Sequence, residues 1–161
     1  MAGLEDLYRE IILDHYRNPR NRGELPVPPA HRVEGFNPLC GDEVVVYVDV
    51  EDGRITDVRI GGQGCSISQS SASMMSSAVK NKTVAEVRSL IRAFKGMMSI
   101  HEQRLDGEDG GAAEPAAHVK LGDLEALQGV VKFPVRIKCA TLSWNTLQQA
   151  LDETEAEAAA G

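Results

Sequence analysis

Apolar residues recur at three- and four-residue spacing from Leu4 through Leu7, Tyr8, Ile11, Ile12 and His15, the period of a helix that buries one face. About four turns fit before Asn18-Pro19 ends it, because the residue before a proline is pushed out of the helical region. Residues 20–34 hold Pro26, Pro28 and Pro29 without a period and read as an extended loop, with a weaker strand signal over residues 33–36. Residues 43–50 are β-branched and mostly apolar. Asp52-Gly53 follows, and residues 55–60 alternate again with Val58 and Ile60 in phase with Thr56. Two such runs around Asp-Gly predict an antiparallel hairpin.

Beyond Gly61, Gly62, Gln63, Gly64 and Cys65 the pattern turns helical, with Ser66 or Ser68 as cap and Ile67, Met74, Met75, Ala78 and Val79 on the buried side. Serines at 66, 68, 70, 71, 73, 76 and 77 lower the propensity of this stretch, so packing must hold it. Thr83 and Glu86 form a capping-box pattern that opens a helix with Val84, Val87, Leu90, Ile91, Phe94 and Met98 in period. Residues 106–117 are acidic and glycine-rich and read as a loop, and a short helix follows over residues 123–128. Pro134 stands where a last helix begins. The period of Leu142, Leu147 and Leu151 runs out near residue 155, and the tail at 156–161 is expected to fray. Helix, small meander, then helices: this order predicts a single α+β domain over residues 1–155, with helices packed on one face of a small three-stranded antiparallel sheet.

Composition narrows the function. The 161 residues suit one domain, and 17 Lys+Arg against 24 Asp+Glu give a net charge of -7. An acidic chain lacks the electrostatic footprint of a nucleic-acid binder and is a poor partner for anionic membranes. The longest clean apolar run, residues 44–48, is far short of the ~20 residues a spanning helix needs. Acids near the start stand where a secretory signal carries bases and an apolar core. Three cysteines cannot all pair, so a cytoplasmic protein with free thiols is expected.

Those cysteines are the candidate chemistry. Cys40, before Gly41-Asp42, immediately precedes the long strand; Cys65 precedes a predicted helix; Cys139 falls in the first turns of the last helix, behind Arg136 and Lys138. Each has polar or glycine neighbours, whereas a structural cysteine sits more naturally mid-element among apolar ones. A helix N-terminus beside Cys65 and cations beside Cys139 favour thiolate, and glycines beside Cys40 and Cys65 let backbone approach a bound ion closely. Three thiolates with Asp42 as oxygen donor would make a tetrahedral zinc site. No compact Cys-x-x-Cys knuckle is present, so spacing leaves two readings open, a metal site or three small core hydrophobes. Elsewhere the patterns suggest packing: His15 is in phase with an apolar face, and Met74, Met75, Met97, Met98 and Trp144 suit core filling. His31, His101 and His118 read as solvated loop residues. The Gly61–Gly64 run lacks the lysine and flanking pattern of a phosphate-binding loop.

Three segments carry a resemblance: Asn37-Pro38-Leu39-Cys40-Gly41-Asp42, the stretch from Gly62 to Ser73 around Cys65, and Arg136-Ile137-Lys138-Cys139-Ala140-Thr141-Leu142-Ser143-Trp144. Together with the opening from Leu7 to Pro19, they resemble the SufU proteins, a branch of the IscU-like family of iron–sulfur cluster assembly. Scaffolds of the IscU kind carry histidine directly before the third cysteine, where this chain has Lys138. They also lack the insertion placed here near residues 100–118, and their proline-rich chaperone-recognition stretch is replaced by residues 131–136. The resemblance implies an IscU/SufU-like sandwich in which Cys40, Asp42, Cys65 and Cys139 hold Zn2+. It further implies a zinc-dependent sulfurtransferase in which Cys40 accepts persulfide sulfur from a SufS-type cysteine desulfurase, for delivery to a SUF scaffold or another sulfur acceptor. A zinc-held thiolate is quenched as a nucleophile, so transfer requires Cys40 to leave the metal. Arg136 is the cation expected to offset the negative ligand set. The alternative is a scaffold that binds a nascent iron–sulfur cluster through the same cysteines. A monomer is expected when the chain is free. Four protein ligands would leave no open position for hydrolytic water.

Overall fold

Asp52 and Gly53 both have positive φ, 54° and 76°, the conformation that a two-residue turn needs to match the twist of its flanking strands. The computed structural model describes residues 4–27, 30–38, 41–105, 122–132 and 134–160. Its elements are α1 (Leu4–Arg17), β1 (His31–Asn37), β2 (Asp42–Glu51), β3 (Arg54–Gln63), α2 (Ser66–Val79), α3 (Val84–Leu105), a 3₁₀ segment (Gly122–Lys132) and α4 (Pro134–Ala160). The strands form one antiparallel sheet in the order β1-β2-β3. The weak signal over residues 33–36 is thus a full strand, and it starts inside the stretch expected to be loop.

Strand phase required one correction. Asp49 pairs with Asp57 and Val50 with Ile55, so Thr56 has no Cα partner across the hairpin, and its hydroxyl donates to the Asp49 carbonyl at 3.1 Å. This β-bulge inserts one residue, which flips the side-chain alternation on either side of it. Ile55 is therefore buried together with Val58 and Ile60, whereas simple alternation from Thr56 would have turned Ile55 outward.

Helices cover one sheet face. Val33, Val44, Val46, Val48, Val58 and Ile60 join the buried residues of α2 and α4 in one core. Helix α4 runs antiparallel along β1: Cys139 meets Asn37 and Glu153 meets His31, while a Cβ at Gly35 would collide with Thr146. The lengths agree, since fourteen helical residues rise about 21 Å and six strand residues about 20 Å. At the centre Phe94 stacks on Trp144 with ring centroids 4.6 Å apart, an arrangement worth about 0.5–1.5 kcal/mol beyond the area it buries.

The serines of α2 are buried, including Ser70, Ser71, Ser73 and Ser76, and several bond across to other elements. Ser73 Oγ meets His15 Nδ1 at 2.8 Å and accepts the Arg20 N–H at 2.8 Å. Ser71 donates to the Ala140 carbonyl at 2.6 Å and accepts from the Trp144 indole at 3.2 Å. Buried hydroxyls need such partners, so α2 acts as a polar spine on which α1, the loop after it and α4 dock. His15 is accordingly a packed interface residue. Other expectations shift. His31 opens β1 and meets Glu153 at 2.7 Å, and His101 lies in α3, which extends to Leu105; His118 is outside the described residues. The segment expected as a short helix over 123–128 is a longer 3₁₀ helix. Helix α4 continues to Ala160, past the loss of apolar period near residue 155, because Ala and Glu are strong helix formers. Much of the proposed insertion near 100–118 lies outside the described residues. Among the described residues, no helix is long and apolar enough to cross a membrane.

Candidate metal centre

Asp42 opens β2 on the inner face, fully buried and paired with Asn37 of β1. A buried carboxylate requires partners. Asp42 Oδ1 accepts the Cys65 N–H at 2.9 Å, and the Cys65 sulfur lies 3.9 Å from Asp42 Oδ2. Two glycines make this approach possible. Gly62 adopts φ +105°, and a Cβ there would press on the Glu43 carbonyl. A Cβ at Gly64 would stand 2.5 Å from Asp42 Oδ1 and 2.6 Å from Ser68 Oγ, so any side chain at this position displaces the carboxylate.

The same loop delivers Cys65. It is the N-cap of α2, with φ −72° and ψ 169° and no side-chain capping bond, so neither Ser66 nor Ser68 fills the expected capping role. Ser68 turns back instead, donating to the Cys65 carbonyl at 3.2 Å, which also accepts the Gln69 N–H at 3.0 Å. The thiol is left half-buried at the end of the helix.

Cys139 arrives from the opposite side of the core. It sits in α4 with zero exposure; the Asn37 amide donates to its sulfur at 3.8 Å, and the Val135 carbonyl lies 4.0 Å from it. Asp42, Cys65 and Cys139 each offer one donor atom, and the three atoms lie within 4.8 Å of one another. A tetrahedral zinc with Zn–S of about 2.3 Å and Zn–O of about 2.0 Å has donor–donor edges of roughly 3.5–3.8 Å. The Cys65–Asp42 separation is close to that edge. Two sulfurs and a carboxylate oxygen suit a borderline-soft divalent ion, so the donor set fits a metal.

Arg136, exposed and three residues ahead of Cys139, is coupled to both sulfurs. Negative charge at Cys65 raises its already high pKa, and a hydrogen bond to Cys139 together with the charge there adds to the effect. Lys138 is exposed. Cys40, named in the sequence as acceptor and ligand, lies outside the described residues. Gly64, beside Cys65, is a point of close approach as expected, and the group that comes close is the Asp42 carboxylate; Asn37 is an addition to the expected site. Asn37 had a signal: it shares the inward phase of Val33 and Gly35, where a polar residue needs a buried partner.

Comparison with known proteins matches these residues to a family. Residues 7–140 fit the NifU-like N terminal domain. The chain is 42% identical over 154 residues to the zinc-dependent sulfurtransferase SufU of Bacillus subtilis (strain 168), covering 96% of this chain and 95% of that protein. It is 36% identical over 151 residues to the iron-sulfur cluster assembly scaffold protein IscU of Streptococcus pyogenes serotype M1, covering 94% and 86%. Among solved structures, FiSufU from Fervidobacterium islandicum AW-1 superimposes with a TM-score of 0.71 at 30% identity, over 92% of this chain and 99% of that one. The N-terminal part of a NifU-like protein from Brucella abortus shares the fold, with a TM-score of 0.77 at 24% identity over 94% and 96%.

Proposed function

The chain belongs to the NifU-like N-terminal domain family, and from that premise we propose that it is a zinc-dependent sulfurtransferase of iron–sulfur cluster assembly. One observation carries the reading: Asp42, Cys65 and Cys139, distant in sequence, present an oxygen and two sulfurs within 4.8 Å. With Cys40 added from the adjoining segment, the donor set becomes the three thiolates and one carboxylate of a closed structural-type zinc site. Zinc bound there would hold the cysteines deprotonated and tie three separate segments together.

The protein side chains then divide the work. Asp42 is oriented by the Cys65 N–H, and Arg136 offsets the negative charge around Cys65 and Cys139. Cys40 is the sulfur acceptor. Its thiolate attacks the outer sulfur of a cysteine persulfide on a SufS-type desulfurase; a new S–S bond forms at Cys40 as the desulfurase S–S bond breaks, and the desulfurase cysteine leaves as thiolate. No external oxidant or reductant is required. Cys139, without exposed surface, is poorly placed to meet an incoming persulfide and stays a ligand. The recipient of the sulfur is a SUF scaffold or another acceptor, and the chain acts as a cytoplasmic monomer when free.

The IscU relatives favour a second reading, a scaffold that builds a cluster on the same cysteines. Lys138 counts against it: a charged ammonium is no substitute for an imidazole ligand. Metal content of aerobically purified protein and turnover of a SufS-type desulfurase separate the two. Equimolar colourless zinc and a stimulation of turnover that Cys40→Ser abolishes are expected. Brown protein with iron and sulfide, or full stimulation by Cys40→Ser, would overturn the transfer reading.

A further inference from the structure

We propose that Asn37 is a positioning residue of the metal centre, whose side-chain amide marks Cys139 as the thiolate that does not take sulfur. This rests on the sulfur-transfer reading above. Asn37 touches the site in three ways. Its backbone pairs with Asp42. Its carbonyl accepts the Gly41 N–H at 2.9 Å, joining the two flanks of the Leu39–Cys40 pair. Its Nδ2 donates to Cys139 Sγ at 3.8 Å, and the residue as a whole is 6% exposed.

The consequence follows from what a hydrogen bond does to sulfur. An N–H aimed at a thiolate draws on the lone pairs that attack an electrophile, and bonds to charged groups are among the stronger ones. A cysteine with such a donor is a poorer nucleophile and a more settled ligand. Cys65 differs in degree: its own N–H goes to Asp42, its sulfur is half-buried and lies against the Asp42 carboxylate oxygen, and the Arg136 guanidinium that it shares with Cys139 is exposed. The chain therefore treats its two described thiols unequally. Groups that orient ligands in this way typically change metal affinity by roughly 10–100-fold when removed.

The test uses zinc-loaded full-length protein and needs no desulfurase. Iodoacetamide labelling, resolved by cysteine with peptide mass spectrometry, should find Cys139 the slowest of the three in the wild type. Asn37→Leu keeps the branching and the number of side-chain heavy atoms and removes the donor; Cys139 labelling should then rise about tenfold relative to Cys40. In cobalt(II)-substituted protein, the sulfur-to-metal charge-transfer band should move to lower energy in Asn37→Leu and in the nearly isosteric Asn37→Asp. An unmoved band in a folded variant, or wild-type Cys139 labelled as fast as Cys40, overturns the proposal. A wild type that shows the labelling order and the band shift but takes no sulfur from a desulfurase would sink the transfer reading and leave the Asn37 hydrogen bond standing.

Discussion

At one end of the sheet Asp52 and Gly53 carry β2 into β3 with backbone geometry alone, whereas at the other end side chains from β1, β2, the loop after β3 and α4 converge on one point. The turn end is reinforced by main chain. Val84 N–H donates to the Gly53 carbonyl at 2.8 Å, Ile55 N–H to Lys82 at 2.9 Å, and Asn81 N–H to Ile55 at 2.8 Å. Thr83 and Glu86 close their capping box beside it, at 2.9 and 3.1 Å. Nothing there needs a ligand. The site end instead gathers a buried carboxylate and two thiols, groups that favour no fold without a partner. One end of the same sheet is closed by main-chain hydrogen bonds, and the other gathers side-chain donors that a metal ion could join.

The sharpest way to break this contrast is Asp42→Ala. Loss of one of the proposed ligands should abolish tight zinc binding and desulfurase stimulation, and should erase the gain in melting temperature on adding zinc, since a metal that binds only the native state stabilises it by mass action. Paired glycine variants come next. Gly64→Ala places a Cβ against the Asp42 carboxylate, and zinc affinity measured by chelator competition should fall roughly 10–100-fold. Gly53→Ala meets no neighbour but keeps φ +76°; it should cost about 1–2 kcal/mol in denaturant melts and leave zinc affinity unchanged.

Smaller effects probe each end alone. The Thr83 backbone N–H holds Glu86 below its ordinary value of 4.5. This group therefore contributes its stability in full above that value, and the contribution is lost as pH falls through the lower folded-state value. Glu86→Gln preserves the capping-box pattern but never carries the charge, so it should melt slightly below the wild type near pH 7, with a shallower decline into acid. On the other side, Ser143, one turn beyond Cys139, buries a hydroxyl that has no hydrogen-bond partner among the described residues. Ser143→Ala removes an unsatisfied group, and its melting temperature should equal or slightly exceed that of the wild type.

The turn end was readable because its determinants are local. Asp52-Gly53 and the Thr83–Glu86 box each act within four residues, a span in which residue type fixes backbone conformation. The bulge at Thr56 was not, since an extra residue in a strand shows only when its partner strand fixes the register. Nor was the burial of the α2 serines, which depends on His15, Arg20, Ala140 and Trp144 arriving from elsewhere. Of the site, Cys65, Asp42 and Cys139 could be named from residue type and neighbours, and the glycine beside Cys65 as a place of close approach, but that Gly64 faces Asp42 and Asn37 faces Cys139 could not be read.

What the sequence determined by itself was the list of elements and the set of donors able to hold a soft divalent ion. Only the tertiary structure decided that Asp42 and Cys65 meet through a backbone N–H, that no side chain fits at Gly64, and that Asn37 reaches Cys139 across 102 positions of chain. The reason is physical: periodicity and turn chemistry act over a few residues, while a metal centre is a coincidence in space that packing alone can arrange.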